Sequence, residues 1–325
     1  METRNIQRTG GASFSVTLPK HWVEKFNLQD KDPVELAVQP SGALLIQPQK
    51  MRWQKAQVVC DINGLTPDEI TREIIAGYLS GADEITLQSD RLDQLQRTQI
   101  RQGAQRLMGF EIIDESSNKI TIRNIFDSLR FSIPQNVERM LYISQSMFVD
   151  AMSALSTNDS ALAKDVIERD VEVNKLNFAI MRQFHSLMAG KNTEEELHLS
   201  LVDCNYYSFV AAQIERIADH TAKIARIVLA SKSTPKKISL VAYQKVANKI
   251  DTYLDQSILM IQELSKHTAH IILNDYQTNE KENAAQAMVN SGVEPLIADS
   301  LDRLQQYIRN IAEKTIDQAV MVAKQ

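Results

Sequence analysis

From Ser132 to the end of the chain, apolar residues recur at spacings of three and four, a period that predicts long amphipathic helices. Helix breakers interrupt the run near Thr157-Asn158-Asp159, at Gly190-Lys191-Asn192-Thr193 and from Ser231 to Pro235, which divides its first half into three helices. Further breaks near Asn274 to Asn279 and at Ser291-Gly292 divide Leu240 to Lys324 into three more. Two three-helix units in tandem read as an internal duplication.

Before Ser132 the pattern shortens. Asn5 to Arg8 reads as extended, Thr9-Gly10-Gly11 as a turn, and Ser13 to Leu18 alternates small polar residues with Phe14, Val16 and Leu18. Pro19 suits the first turn of a helix over Lys20 to Phe26. Strands over Val34 to Val38 and Ala43 to Gln47 flank a hairpin turn at Gln39-Pro40-Ser41-Gly42. So thin a set of strands carries too little core to stand alone, which predicts pairing with a second copy. Between Gln57 and Ile122, strand-like runs (Gln57 to Asp61, Glu84 to Leu87, Phe110 to Ile113, Lys119 to Ile122) alternate with two helices. Thr66-Pro67-Asp68-Glu69 is a capping-box start for the first of these, and Gly81 suits its end. No phosphate loop, nucleophile elbow or His/Asp constellation occurs in this small α/β segment. The predicted fold class is therefore multidomain and mainly α: a β module over 1–50, an α/β domain over 51–128, and three-helix bundles over 129–232 and 233–325.

The 325 residues are 43% hydrophobic and 24% charged, an ordinary globular composition. The chain holds no apolar run of about eighteen residues, and no apolar stretch follows Met-Glu-Thr-Arg-Asn. The expectation is a cytoplasmic protein without membrane insertion. Cys60 and Cys204 stand alone, which excludes a disulfide framework and a thiolate zinc site. With a net charge of −5, nucleic-acid binding needs a local basic site. One candidate exists: between Glu2 and Glu24 there is no acid, while Arg4, Arg8, Lys20 and His21 fall there.

Glu215 and Asp219 lie four residues apart on a predicted helix, a like-charge spacing that costs roughly 0.2–0.5 kcal/mol unless compensated. A solvated pair eased by Arg216, Lys223 and Arg226 is one reading. A second comes from the preceding helix, where Asp170, Asn174, Asn177 and Met181 fall within about 60° of one another. Val166, Val173 and Phe184 flank them on one side and Ile167, Val171 and Phe178 on the other, which places this polar seam inside the buried arc. Buried carboxylates are paired or metal-bound. Small residues (Cys204, Ser208, Ala211, Ala212, Ala222) border the Glu215/Asp219 stripe and leave room for a ligand. An oxygen-rich set on two facing helices suits a hard or borderline cation such as Fe, Mn, Mg or Zn. His220 is either an added nitrogen ligand or an ordinary surface or core histidine.

Ile167-Glu168-Arg169-Asp170-Val171-Glu172-Val173-Asn174-Lys175-Leu176, followed by Glu215-Arg216-Ile217-Ala218-Asp219-His220, resembles the paired motif of the PhoU phosphate-uptake regulators. That family has two pseudo-symmetric three-helix bundles and binds metal clusters through such motifs. The resemblance implies Asp170, Asn174, Glu215 and Asp219 as ligands. A weaker echo at Asp275-x-x-x-Asn279 and Asp302-x-x-x-Gln306 implies a second site at Asp275 and Asp302, with amides where carboxylates belong.

The first fifty residues resemble the AbrB/SpoVT swapped-hairpin DNA-binding module through Arg4-x-x-x-Arg8, Ser13 through Leu18-Pro19-Lys20, Trp22-Val23, Leu28 and Asp32-x-Val34. Lys31-Asp32 departs from the usual Gly-Asp. This resemblance implies a homodimer and DNA contacts from Arg4, Arg8, Ser13, Ser15 and Lys20. The combined arrangement is similar to archaeal PhoU-type regulators. It implies a DNA-binding transcriptional regulator of phosphate homeostasis or, alternatively, an accessory protein that docks on a phosphate ABC transporter ATPase and restrains uptake. A di-metal oxidase or hydrolase would need Glu-x-x-His pairs, which the carboxylate cluster lacks. The expectation is no enzyme and no catalytic residue.

Overall fold

The computed structural model describes residues 2–38, 42–49, 56–125, 131–230, 237–280, 289 and 294–323. The chain divides into two compact units, 1–55 and 56–325.

In the first unit, β1 (Gln7–Thr9) pairs antiparallel with β2 (Ser13–Ser15), Arg8 standing opposite Phe14. Pro19, in extended conformation, is the N-cap of α1 (Lys20–Lys25) rather than part of its first turn, and Phe26 is the C-cap. β3 (Val34–Val38) pairs antiparallel with β4 (Leu44–Pro48), Leu36 opposite Ile46. Of the expected hairpin turn, residues 39–41 lie outside the described residues. Lys31, where the AbrB-like pattern has glycine, takes φ +71°, the left-handed region that favours glycine. Asp32 holds the turn by accepting from the Gln29 amide at 2.8 Å. Among the described residues of this unit only Pro48 is buried. Ile6, Phe14, Leu36, Val38 and Leu44 are exposed, Phe14 at 70%. This is the thin core expected of a module that needs a second copy.

The second unit begins with β5 (Gln57–Asp61), α2 (Pro67–Leu79), β6 (Glu84–Gln88), α3 (Gln94–Gln105), β7 (Phe110–Glu115) and β8 (Lys119–Asn124). The strands form one sheet in the order β5-β6-β8-β7, parallel between β5 and β6 and antiparallel elsewhere. The expected capping box is present, the Glu69 amide donating to Thr66 Oγ1 and the Thr66 amide to Glu69 Oε2. A second one, Asp93 with Gln96, starts α3. Gly81 takes φ +79° just past α2.

Helices α4 (Ile133–Thr157), α5 (Ser160–Met188), the short α6 (Glu194–Leu197) and α7 (Leu201–Ala230) follow, then α8 (Lys237–Glu263), α9 (Lys266–Glu280) and α10 (Pro295–Val322). Asn158, left-handed at φ +56°, ends α4, and Asp159 caps α5 through the amides of Ala161 and Leu162. α4, α5 and α7 pack together, as do α8, α9 and α10. The predicted breaks at 231–235 and 291–292 lie outside the described residues. The break expected near Asn274 to Asn279 falls inside α9; the chain breaks earlier, at Leu264 (φ +48°) and Ser265. Tertiary contacts override the poor local propensity there, because Asp275 accepts from the Tyr253 hydroxyl on α8 and pairs with Lys249 at 2.9 Å.

The two helical units join through α7 and α10, which run antiparallel. Asp203 accepts from Gln318 at 2.6 Å, Tyr206 meets Thr315 at 2.9 Å, Gln213 accepts from Asn310 at 3.0 Å and Lys223 pairs with Asp299 at 3.3 Å. The Thr315 hydroxyl donates to the Ile311 carbonyl, so the buried Tyr206 hydroxyl is the donor of that pair.

Candidate functional site

The heptad-like pattern of α5 and α7 brings Asp170 against the Glu215/Asp219 stripe. Asp170 is only 6% exposed, and its Oδ1 is buried without a hydrogen-bond partner. Its Oδ2 faces the exposed Arg226 at 3.8 Å, too far for a hydrogen bond. Burial, and then the Asp219 charge, push the Asp170 carboxyl up to about 6. Glu215, half-buried, is pushed up to about 7 by burial and by both neighbouring carboxylates. Asp219 is the exposed member of the three; partial desolvation still raises it, with Arg226 and His220 opposing. The three carboxylates thus share one under-compensated patch of negative charge between two helices.

The other expected members behave differently. Asn174 turns its amide back to the Asp170 carbonyl at 3.0 Å, within its own helix. Val171, read as a buried flank of the seam, is exposed, because the buried face of α5 runs through Val166, Asp170, Val173 and Asn177. Phe178 packs against the α/β core instead. His220 turns toward α10, its ring 5.7 Å from that of Tyr307; burial and then Lys223 hold it below its usual pKa. In the second helical unit, Asp275 is compensated by Lys249 and accepts from Tyr253, and Asp302 accepts a neutral hydrogen bond from Gln306 at 2.7 Å.

Asp170, Glu215 and Asp219 are an oxygen-only donor set, and the orphaned Asp170 oxygen fits a hard cation. Among the described residues, no three His, Cys, Asp or Glu side chains already converge to hold one.

In the N-terminal unit all five expected DNA contacts are exposed. The two acids that bracket the basic stretch reach into it: Arg4 pairs with Glu2 at 2.6 Å and also donates to Thr17, and Lys20 pairs with Glu24 at 3.5 Å. Arg8 donates to the Gly11 carbonyl at 2.8 Å, and Ser15 to the Gln7 carbonyl at 3.5 Å. These surface contacts hold the side chains weakly.

Sequence reasoning missed the latch between the α/β segment and α5. Arg182, only 11% exposed, lies over the rings of Tyr78 and Phe110 at 4.9 and 5.3 Å and donates to the Tyr78 carbonyl at 2.5 Å. His185 Nδ1 meets the Leu79 carbonyl at 3.0 Å, and Lys191 donates to the Gly81 carbonyl at 3.1 Å. Three basic side chains thus cover the negative end of the α2 dipole. A small cavity beside it is lined by Met108, Asn124, Phe131 and Ala179. The i,i+3 spacing of Arg182 and His185 is visible in sequence; their target, about a hundred residues away, is not.

Residues 137–228 match the model of the PhoU domain, and residues 7–54 match that of the antidote-toxin recognition MazE bacterial antitoxin. The chain is 32% identical over 97 residues to the phosphate-specific transport system accessory protein PhoU homolog of Caulobacter vibrioides, covering 30% of this chain and 40% of that one. It is 33% identical over 116 residues to the phosphate-specific transport system accessory protein PhoU of Escherichia coli K12, covering 35% and 46%. The matched region spans less than half the length of these relatives. The crystal structures of the phosphate transport system regulatory protein PhoU from Streptococcus pneumoniae (19% identity, TM-score 0.49, 57% of this chain and 93% of that one) and of PhoU from Pseudomonas aeruginosa (18%, 0.46, 57% and 95%) are also similar. The chain joins a PhoU domain to an N-terminal domain of the MazE/AbrB antitoxin-like type.

Proposed function

We propose that the protein is a DNA-binding transcriptional regulator of phosphate uptake, in which the PhoU-like helices respond to phosphate status or to the state of a transporter and the N-terminal unit, as a homodimer, binds the operator. The observation that carries this reading is the set of exposed basic side chains Arg4, Arg8 on the β1/β2 hairpin and Lys20 at the start of α1, in a unit whose apolar surface one copy cannot bury. Exposed Arg and Lys side chains of this kind neutralise phosphates, which makes affinity fall steeply with salt. A gel-shift titration against the protein's own promoter region tests it. Salt-sensitive binding that is lost in the Arg4, Arg8, Lys20→Ala triple variant is expected; binding unchanged in that variant overturns the assignment.

The second reading is an accessory protein that docks on a phosphate ABC transporter ATPase and restrains uptake, its N-terminal unit serving for dimerisation alone. The similarity to phosphate-specific transport system accessory proteins favours it. An absence of any salt-sensitive DNA binding selects this reading over the first.

In either reading Asp170, Glu215 and Asp219, with Asn174 beside them, are the residues that would hold a hard or borderline cation such as Fe, Mn, Mg or Zn. A bound cation would supply charge compensation to these carboxylates, which otherwise raise one another's pKa. Elemental analysis after manganese loading tests this. Asp219→Ala is expected to lower bound metal per chain while DNA affinity stays at the wild-type value, and equal metal in both proteins removes the ligand set.

A further inference from the structure

β5 is an end strand of the four-stranded sheet, and among the described residues no strand pairs with its outer side. The Ala56 carbonyl accepts from the Glu84 amide at 3.2 Å, and the Ile62 amide donates to the Gln88 carbonyl at 2.8 Å. The period of two then directs the main-chain groups of Val58 and Cys60 toward β6 as well, and those of Gln57, Val59 and Asp61 outward. The side chains of these three are exposed, Val59 at 61%.

Sheet edges are normally guarded by charge, proline, a bulge or a covering element. The opposite edge, β7, is guarded: its register shifts between Ile112 and Asp114, and it carries Glu111, Asp114 and Glu115. β5, Gln-Val-Val-Cys-Asp, has no proline, no lysine and no bulge, its one charge is Asp61 at its end, and Val58 and Val59 are strong strand formers.

The strand is also complementary to itself. A twofold axis through Val59, the middle of the five residues, sets the two Val59 side chains side by side and Gln57 opposite the partner's Asp61. All three outward residues then fall in hydrogen-bonded positions of an antiparallel ladder, about six main-chain bonds in total. The Asp61 carboxylate is already oriented by Asn63, whose backbone and side-chain nitrogens donate to Oδ1 at 3.0 and 2.9 Å, which leaves Oδ2 for the facing Gln57 amide.

We infer that β5 is a self-association edge: two copies of this chain join β5 to β5, antiparallel about an axis at Val59, and build one eight-stranded sheet. This contact is separate from pairing of the N-terminal units and does not depend on DNA binding.

Oxidative cross-linking of the full-length Val59→Cys variant tests the inference. Directly opposed residues in such a ladder stand about 5.5 Å apart at Cα, within disulfide reach, and the native Cys60 and Cys204 are buried. An inter-chain disulfide at low micromolar protein is expected for Val59→Cys, at least about tenfold faster than for an Ile113→Cys control on the guarded edge. Amide hydrogen exchange supplies the second measurement. The Val59 amide is expected to be protected in the wild-type chain and to lose about 100-fold in protection in Val59→Lys, while Ile85 and Leu87 in the sheet core keep theirs. Equal cross-linking at both edges, or a Val59 amide equally protected in Val59→Lys, overturns the inference. A dimer held by the N-terminal units alone gives the first of these outcomes and leaves the proposed function standing.

Discussion

Replacing Asp170 with asparagine in the metal-stripped protein removes one charge from the α5/α7 patch while keeping the side chain's shape. In the folded state the carboxyl titrates at about 6 against an ordinary value of 3.8. At ~1.36 kcal/mol per pH unit, ionising it there costs the fold about 3 kcal/mol. With 6% exposure this figure needs little discount for solvent screening. The sign follows from proton counting. Between about pH 4 and 6 the folded protein holds a proton that the unfolded chain has released, so wild-type stability falls as pH rises through that window and stays low above it. The asparagine side chain cannot ionise, and the variant skips that fall. Asp170→Asn is therefore expected to be nearly neutral at pH 4 and to stabilise the protein by about 2–3 kcal/mol at pH 8. The lower end allows for the lost Arg226 contact and for the relief that Glu215 and Asp219 gain together, which is not additive. Urea unfolding followed by circular dichroism, run from pH 4 to 8 in the presence of chelator, measures the difference. A ΔΔG flat with pH, or a variant less stable than wild type at pH 8, refutes the buried-charge account of the seam.

Arg182→Met keeps the aliphatic stem and removes the guanidinium. Cation–π contacts of ~0.5–2 kcal/mol and a charged hydrogen bond of ~1.5–3 kcal/mol are offset by the desolvation that already lowers this group's pKa. A net loss of about 1–2 kcal/mol is expected, with faster amide exchange confined to the last turn of α2; a more stable variant would show that the latch is held by packing alone. Lys31→Gly relieves a left-handed backbone and is expected to stabilise the N-terminal unit by about 1 kcal/mol, read as a higher unfolding midpoint at constant protein concentration.

What the sequence made legible was local. Val34–Val38 and Gln57–Asp61 are read to the residue because β-branched alternation and flanking turns act within a few positions, and the Thr66/Glu69 capping box is a three-residue signal. The break placed at Asn274 to Asn279 failed for the complementary reason: Asn, Asp and Thr lower helix propensity by tenths of a kcal/mol each, while Tyr253 and Lys249, about a turn apart on another helix, fix Asp275 in place. The site divides in the same way. The i,i+4 spacing of Glu215 and Asp219 and the facing Asp170 follow from helical period alone. Their abnormal acidity does not, since it depends on desolvation where α5 packs against α7, whose small residues Ala211, Ala218 and Ala222 are buried. Periodicity names which face a carboxylate occupies, and only packing decides whether that face is wet. Val171 shows the limit, because it stands one residue from Asp170 and is exposed where Asp170 is buried. A carboxylate at the edge of a hydrophobic arc is thus a place where sequence gives the neighbours and the three-dimensional fold gives the charge state, and the pH dependence of Asp170→Asn is the measurement that separates the two.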